Sequence, residues 1–244
     1  MEFFEQSDIL TGGDQGYACY RIPAVIKSKN GTILAFCEGR KDSASDSGQI
    51  DILVMRSDDN GRSFSEYSVV VTQRRSTCGN PSPVIDKSTG EILLLFTKNR
   101  AKDDERAICE GKGKRTVWTT RSSDDGQTWS EPEEITDQVK EPDWSWYATG
   151  PVHGVQLQND RIIIPCNHVI KKNSDADNDP HHSHIIYSDD RGKTWKIGGI
   201  ADSGTNESTI LEASDGKIYL NSRNHQKKKK TGNFRAVSWS TDYG

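Results

Sequence analysis

Ser57-Asp58-Asp59-Asn60-Gly61-Arg62-Ser63-Phe64 is a stretch that the chain repeats. Ser122-Ser123-Asp124-Asp125-Gly126-Gln127-Thr128-Trp129 and Ser188-Asp189-Asp190-Arg191-Gly192-Lys193-Thr194-Trp195 share its pattern, S-x-D-x-G-x-[ST]-[WF]. A fourth copy opens at Ser240-Thr241-Asp242-Tyr243-Gly244. The copies start at positions 57, 122, 188 and 240, spacings of 65, 66 and 52 residues. The residue types describe a tight turn. Asp59, Asp124, Asp190 and Asp242 can each accept hydrogen bonds from turn N–H groups. The glycine supplies a positive φ. The aromatic is expected to fold back onto its own hairpin. Each box is therefore a structural turn between two strands.

Working outward, a second repeat precedes each box. Residues 23–36 parallel 83–96, and 155–165 and 209–220 follow the same plan of strand, polar turn, strand. A third strand leads into each box and a fourth leaves it, as at 51–56 and 66–71. Four antiparallel strands per repeat at this period describe β-propeller blades. The fold class is all-β. The expected blades are 17–75, 76–140, 141–202 and 203–244, the last unfinished, in a single domain. No segment shows helical periodicity.

Composition agrees with that reading. The hydrophobic fraction is 32%, low for a globular chain, which fits strands with one face in solvent. The formal charge of -4 gives no electrostatic reason to expect a nucleic-acid partner. No apolar run approaches the ~20 residues of a membrane span, and no signal peptide is visible. The cysteines are Cys19, Cys37, Cys78, Cys109 and Cys166. An odd count without a CxxC pair argues for apolar core thiols rather than disulfides or zinc. No metal or cofactor is expected, and the sequence assigns no compartment.

Strand phase locates the site. If every box turn lies on one face, the residues before strand one, after strand two and in the loop from strand two to three lie on the other. Before strand one stand Arg21, Asn80, Trp144, Trp146 and Tyr147 with His153, and Glu207. After strand two stand Glu38, Arg40, Arg100 and Arg223, and the first loop carries Asp42 and Asp46. Arginines converging on one mouth point to an anionic ligand, because the guanidinium grips a carboxylate with two parallel N–H bonds.

These residues resemble the sialidase (neuraminidase) family. Tyr20-Arg21-Ile22-Pro23 is similar to the family's [FY]-R-I-P signature, and the boxes are its Asp boxes. Glu38-Gly39-Arg40, Ser43-Ala44-Ser45-Asp46, Ala148-Thr149-Gly150-Pro151 with His153-Gly154, and Asn221-Ser222-Arg223 extend the resemblance from about Gly16 onward. It implies a six-bladed propeller, of which about four blades are present, and a retaining exo-α-sialidase acting on sialylated glycoconjugates. By the same resemblance, Arg21 and Arg223 hold the sialic acid carboxylate. Asp46 is the general acid/base and Glu207 polarises a tyrosine nucleophile. Arg40 and Asn80 contact the sugar near its 4-hydroxyl. We assign Tyr147, from its aromatic group, as a further substrate contact. A tyrosine nucleophile avoids the repulsion a carboxylate would meet at an anomeric carbon bearing a carboxylate.

The family's third arginine and its nucleophilic tyrosine are expected beyond residue 244, leaving residues 1–244 inactive alone. The alternative is a sialic-acid-binding propeller without catalysis. His181-His182-Ser183-His184 is read as part of a polar mouth loop rather than a metal site. Lys227 to Lys230 is read as a solvated hairpin tip.

Overall fold

The structure is a computed structural model and describes residues 6–171, 181–224 and 234–244. Lys227 to Lys230 lie outside these described residues. The chain folds into successive antiparallel meanders. The first comprises β1 (Cys19–Lys27), β2 (Ile33–Arg40), β3 (Ile50–Ser57) and β4 (Ser68–Val71). The second comprises β5 (Ser76–Ile85), β6 (Ile92–Arg100), β7 (Thr116–Ser122) and β8 (Glu133–Glu134). In the third, β9 (Trp144–Thr149) and β10 (Val155–Gln156) both pair β11 (Ile162–Ile170), followed by β12 (His181–Ser188) and β13 (Lys196–Ile200). The fourth holds β14 (Thr205–Glu212), β15 (Ile218–Asn224) and β16 (Ala236–Ser240). One parallel bridge, Ile50 to Thr77, joins the first two meanders.

The core lies between meanders, one sheet face against the next. Phe36, Ile52 and Leu34 of the first pack with Leu94 and Phe96 of the second. Leu93 and Leu95 turn the other way and meet Ile162, Ile164 and Ile186 of the third. Ile163 and Ile185 then face Ile210, Ile218 and Leu220 of the fourth. Period-two alternation thus serves both faces of β6 and β11. This corrects the expectation of half-solvated strands: the middle strands are buried on both sides, and polar loops keep the hydrophobic fraction low.

The box turns have the expected polar core and a packing that extends beyond their own hairpin. Ser63 N–H donates to Asp59 Oδ1 at 2.9 Å, Thr128 N–H to Asp124 at 2.9 Å and Thr194 N–H to Asp190 at 2.8 Å. Ser122 Oγ donates to Asp124 at 2.8 Å and accepts from Gly126 N–H at 2.8 Å, and Ser188 repeats this with Asp190 and Gly192. These bonds hold the Asp124 and Asp190 carboxyls down at about 2, in Asp190 against the opposing effect of desolvation. In the fourth box, Asp242 N–H and Gly244 N–H donate to Ser240 Oγ at 3.3 and 2.9 Å. Two of the aromatics fold back over the glycine of their own turn, Trp129 over Gly126 and Trp195 over Gly192, and also reach the preceding meander. Trp129 meets Phe36 edge-on at 5.8 Å, and Trp195 joins Leu93 and Leu95.

Hairpin register corrects the sequence alignment. Lys27 pairs Ile33 across five turn residues, whereas Ile85 pairs Ile92 across six. The equivalent of Pro23 is therefore Pro81, not Pro83. Two short helices, α1 (Glu105–Cys109) and α2 (Thr136–Val139), occupy connections. They are too short for a periodic signal, although Asp104 caps α1 by accepting from Ala107 N–H at 2.7 Å.

Candidate active site

The first strand of three meanders breaks register at one level. β1 shifts between Arg21 and Ala24, β5 between Gly79 and Ser82, and β14 between Thr205 and Ser208. Ile22 and the equivalent Asn80 have φ of 55° and 56°, uncommon for residues with a Cβ. Pro23 and Pro81 fit these bulges because no ladder N–H is needed there. A bulge re-aims side chains, and these aim Arg21, Asn80 and Glu207 into one cleft.

That cleft also takes in Arg40, Asp46 and Arg223, from the far ends of β2 and β15 and the loop between β2 and β3. Arg21 Nη1 donates to Asp46 Oδ1 at 2.9 Å, and Arg40 Nη1 lies 2.8 Å from the same oxygen. Asp46 is thus exposed yet held between two guanidinium groups. Arg223 Nη1 donates to Glu207 Oε2 at 3.0 Å. Each of these arginines rests on a carboxylate of its own meander.

A buried carboxylate, Glu38, organises the floor. It is 3% exposed and Arg40 is 2% exposed. Glu38 Oε2 accepts from Arg40 Nε and Nη2 at 2.9 and 2.5 Å, and Oε1 accepts from Asn80 N–H at 2.8 Å. Burial alone would lower the Arg40 guanidinium. The attraction of Glu38 and Asp46 outweighs it and holds Arg40 above its ordinary value. The close approach requires Gly79, since a Cβ there would lie 2.5 Å from Glu38 Oε1.

Arg115, which sequence reasoning missed, lies 3% exposed behind Asn80. Its Nε donates to the Tyr147 carbonyl at 2.7 Å, and its Nη groups donate to Asn99 Oδ1 and Asn80 Oδ1. Trp146 stacks on the guanidinium at 4.1 Å. Burial lowers Arg115 to about 10, so it stays charged at neutral pH. Arg115 belongs to no motif; only its place just before β7, after a loop at the mouth, was legible. Glu105, carried to the cleft by α1, was missed with the helix.

Other expectations are corrected here. Tyr147 is 0% exposed and has no surface to offer a ligand; its hydroxyl faces His184 Nε2 at 3.1 Å. The aromatic of this group that lines the cleft is Trp146, while Trp144 is also core. Arg100 turns to Asp103 at 2.7 Å, away from the cleft. His153 lines a different groove with Val25, Val84 and Leu211. His181, His182 and His184 belong to β12, not to a loop. His184 Nδ1 lies 3.0 Å from His168 Nδ1, and His168 stacks on Trp144 at 3.5 Å. Among the described residues no cluster could hold a metal ion. All cysteines are free thiols, and burial pushes those of Cys37, Cys78 and Cys166 up to about 12.

Comparisons with known proteins bear on family and fold. The family model described as BNR repeat-like domain matches residues 31–244. An exo-alpha-sialidase of Aspergillus fumigatus is 31% identical over 87% of this chain and 53% of its own length. Sialidase-3 of Mus musculus is 32% identical over 98% of this chain and 59% of its own. The chain belongs to the sialidase family. It spans about half the length of the curated relatives it matches. Among solved structures, the Hadza microbial sialidase Hz136 superposes with a TM-score of 0.83 at 29% identity, covering 96% of this chain and 46% of that one. A leech intramolecular trans-sialidase, at 15% identity and a TM-score of 0.79, shares the fold over 99% of this chain and 52% of its own. The fold is the propeller-type fold of sialidases. Among the described residues, no helix is long and apolar enough to cross a membrane.

Proposed function

We propose that the chain carries much of the catalytic cleft of a retaining exo-α-sialidase that releases terminal sialic acid from glycoproteins, glycolipids or oligosaccharides. Its four meanders are read as blades of one catalytic propeller. One observation carries the reading: Arg21, Arg40, Asp46, Asn80, Glu207 and Arg223, spread over some two hundred residues, line a single cleft. The sugar carboxylate takes Arg21 and Arg223, displacing the carboxylates that rest on them. Asp46 then stands over the glycosidic oxygen as proton donor, and in the second half of the reaction it takes a proton from water. Glu207, freed from Arg223, accepts the proton of a tyrosine nucleophile. Glu38 and the Ala44 carbonyl hold Arg40 in place, which suits it to fixing Asp46 beside the sugar.

The test is hydrolysis of an aryl sialoside by the full natural chain. Asp46→Asn is expected to lower kcat by about 10²–10⁴, and NMR of the released sugar to show the α anomer first. A folded Asp46→Asn protein with undiminished turnover would sink the assignment. A sialic-acid-binding module without catalysis is the second reading. It is favoured only by the fact that no tyrosine of this chain lines the cleft. Binding of sialic acid without turnover by the full natural chain would select it.

A further inference from the structure

The geometry points to Arg115 as a positioning residue that fixes the polarity of one wall of the cleft, so that the substrate group meeting Asn80 must be a hydrogen-bond acceptor. The inference rests on the sialidase reading and deepens it. A carboxamide can present either its oxygen or its NH₂ group, and the two ends differ little in shape. At Asn80 the choice is forced. The guanidinium of Arg115 is a pure donor, and its Nη2 meets Asn80 Oδ1. Thr97 Oγ1 donates to the same oxygen at 3.3 Å. Flipping the amide would set two N–H groups against the guanidinium.

The rest of the side chain's surroundings agree. Asn80 N–H is taken by Glu38 and Asn80 has a φ of 56°, so the backbone holds the side chain at a fixed height. Among the described residues no protein acceptor meets Asn80 Nδ2, and Asn80 lines the cleft. The amide therefore offers its NH₂ group to whatever lies there. Arg115 itself is locked by Asn99 Oδ1, the Tyr147 carbonyl and the Trp146 ring. All three oxygens it binds are neutral, and among the described residues it forms no ion pair. The carboxylates of Glu38, Glu105 and Asp46 lie near enough to favour its charged form, so the preference for an acceptor rests on the orientation of the Asn80 amide.

Two inhibitors differing at one atom read this out. The unsaturated sialic acid analogue DANA carries a 4-hydroxyl, which can accept. Its 4-amino counterpart carries an ammonium, which cannot. With the full natural chain, DANA is expected to bind at least about tenfold more tightly. Asn80→Asp keeps the pairing to Arg115 and turns an acceptor to the ligand, so this ratio is expected to fall at least about tenfold. Arg115→Met leaves Asn80 free to flip and is expected to bring the ratio towards one in a protein whose circular dichroism matches wild type. If Arg115→Met does not fold, Asn80→Asp decides alone. A wild-type preference for the amine, or an unchanged ratio in either folded variant, overturns the inference. A folded wild type that binds neither inhibitor and hydrolyses no sialoside overturns the sialidase reading, and this inference with it.

Discussion

Glu38 shows how one side chain can hold a site it need not touch chemically. Its two oxygens tie β2 to the bulge of β5, through Arg40 on one side and the Asn80 N–H on the other. Removing it strands a buried guanidinium. Glu38→Ala is therefore expected to cost about 3–5 kcal/mol, read as a shift in the urea midpoint. A loss under about 1 kcal/mol would mean that Arg40 re-pairs fully with Asp46. Arg21 is a different case, exposed and held by one carboxylate. Arg21→Lys replaces a planar fork with a point charge, and a rise of about tenfold or more in inhibitor Kd is expected. Wild-type affinity in that variant would end its assignment to the ligand carboxylate. Arg21, Asp46 and Glu207 were legible because strand phase places them at one end. Tyr147 was not. β9 shifts register against β11 between His168 and Ile170, so Trp144 and Tyr147 share the core face that simple alternation would divide between them.

Elements carry the repeat, and the repeat's glycines do more than turn the chain. Gly126 has a φ of 77°, and a Cβ there would meet Leu34 Cδ2 at 2.3 Å, on the preceding meander. Gly126→Ala thus combines backbone strain with overpacking between sheets. The expected loss is about 2–4 kcal/mol, measured by thermal unfolding; Gly13→Ala, with a similar φ but open space, separates the two contributions. A Gly126→Ala loss no larger than that of Gly13→Ala would refute the docking role. The turns themselves could be read from the boxes, but not which meander they pack on. β12 was partly misread because its histidines look like loop residues. Burial, with His182 and Lys140 nearby, pushes His168 down to about 3, and burial with His168 and His182 pushes His184 well below the ordinary value. Both are neutral in the fold and take up protons near pH ~6.5 when it opens. Their contribution is complete above pH ~6.5 and is lost as pH falls towards 3, by up to ~1.4 kcal/mol per pH unit for each ring. Urea midpoints between pH 7 and 5 should fall accordingly, less steeply in His168→Phe. Equal slopes in the two proteins would show that His168 does not titrate with unfolding. Asp124 and Asp190 titrate below this window and leave the slope to the histidines.

At the scale of the molecule, successive meanders turn their loop ends towards one cleft, and that arrangement separates what binds from what reacts. The cleft holds the acid/base candidate Asp46, the polarising candidate Glu207 and the arginines, while the tyrosines lie elsewhere. Tyr17, Tyr20 and Tyr67 form a cluster of rings on the first meander, and Tyr147 is sealed in the core. Tyr219 packs on Trp239 and Tyr187 under Arg161. Tyr243 lies in the fourth box turn. A covalent sialyl-enzyme needs a phenolic oxygen beside Glu207, and no group in residues 1–244 provides it. Residues that act as one unit fail together, so activity in proportion to the share of the cleft present is not expected. Residues 1–244 expressed alone are therefore predicted to hydrolyse no aryl sialoside. A fluorinated sialoside that traps the covalent intermediate should attach to none of their seven tyrosines. Mass spectrometry of peptides from the labelled full natural chain checks this directly. A label on Tyr20, which lies next to Arg21, would require β1 to rearrange so that its ring leaves the Tyr17 cluster for the cleft. A label on any of the seven would overturn the division of roles between Glu207 and a tyrosine outside this stretch.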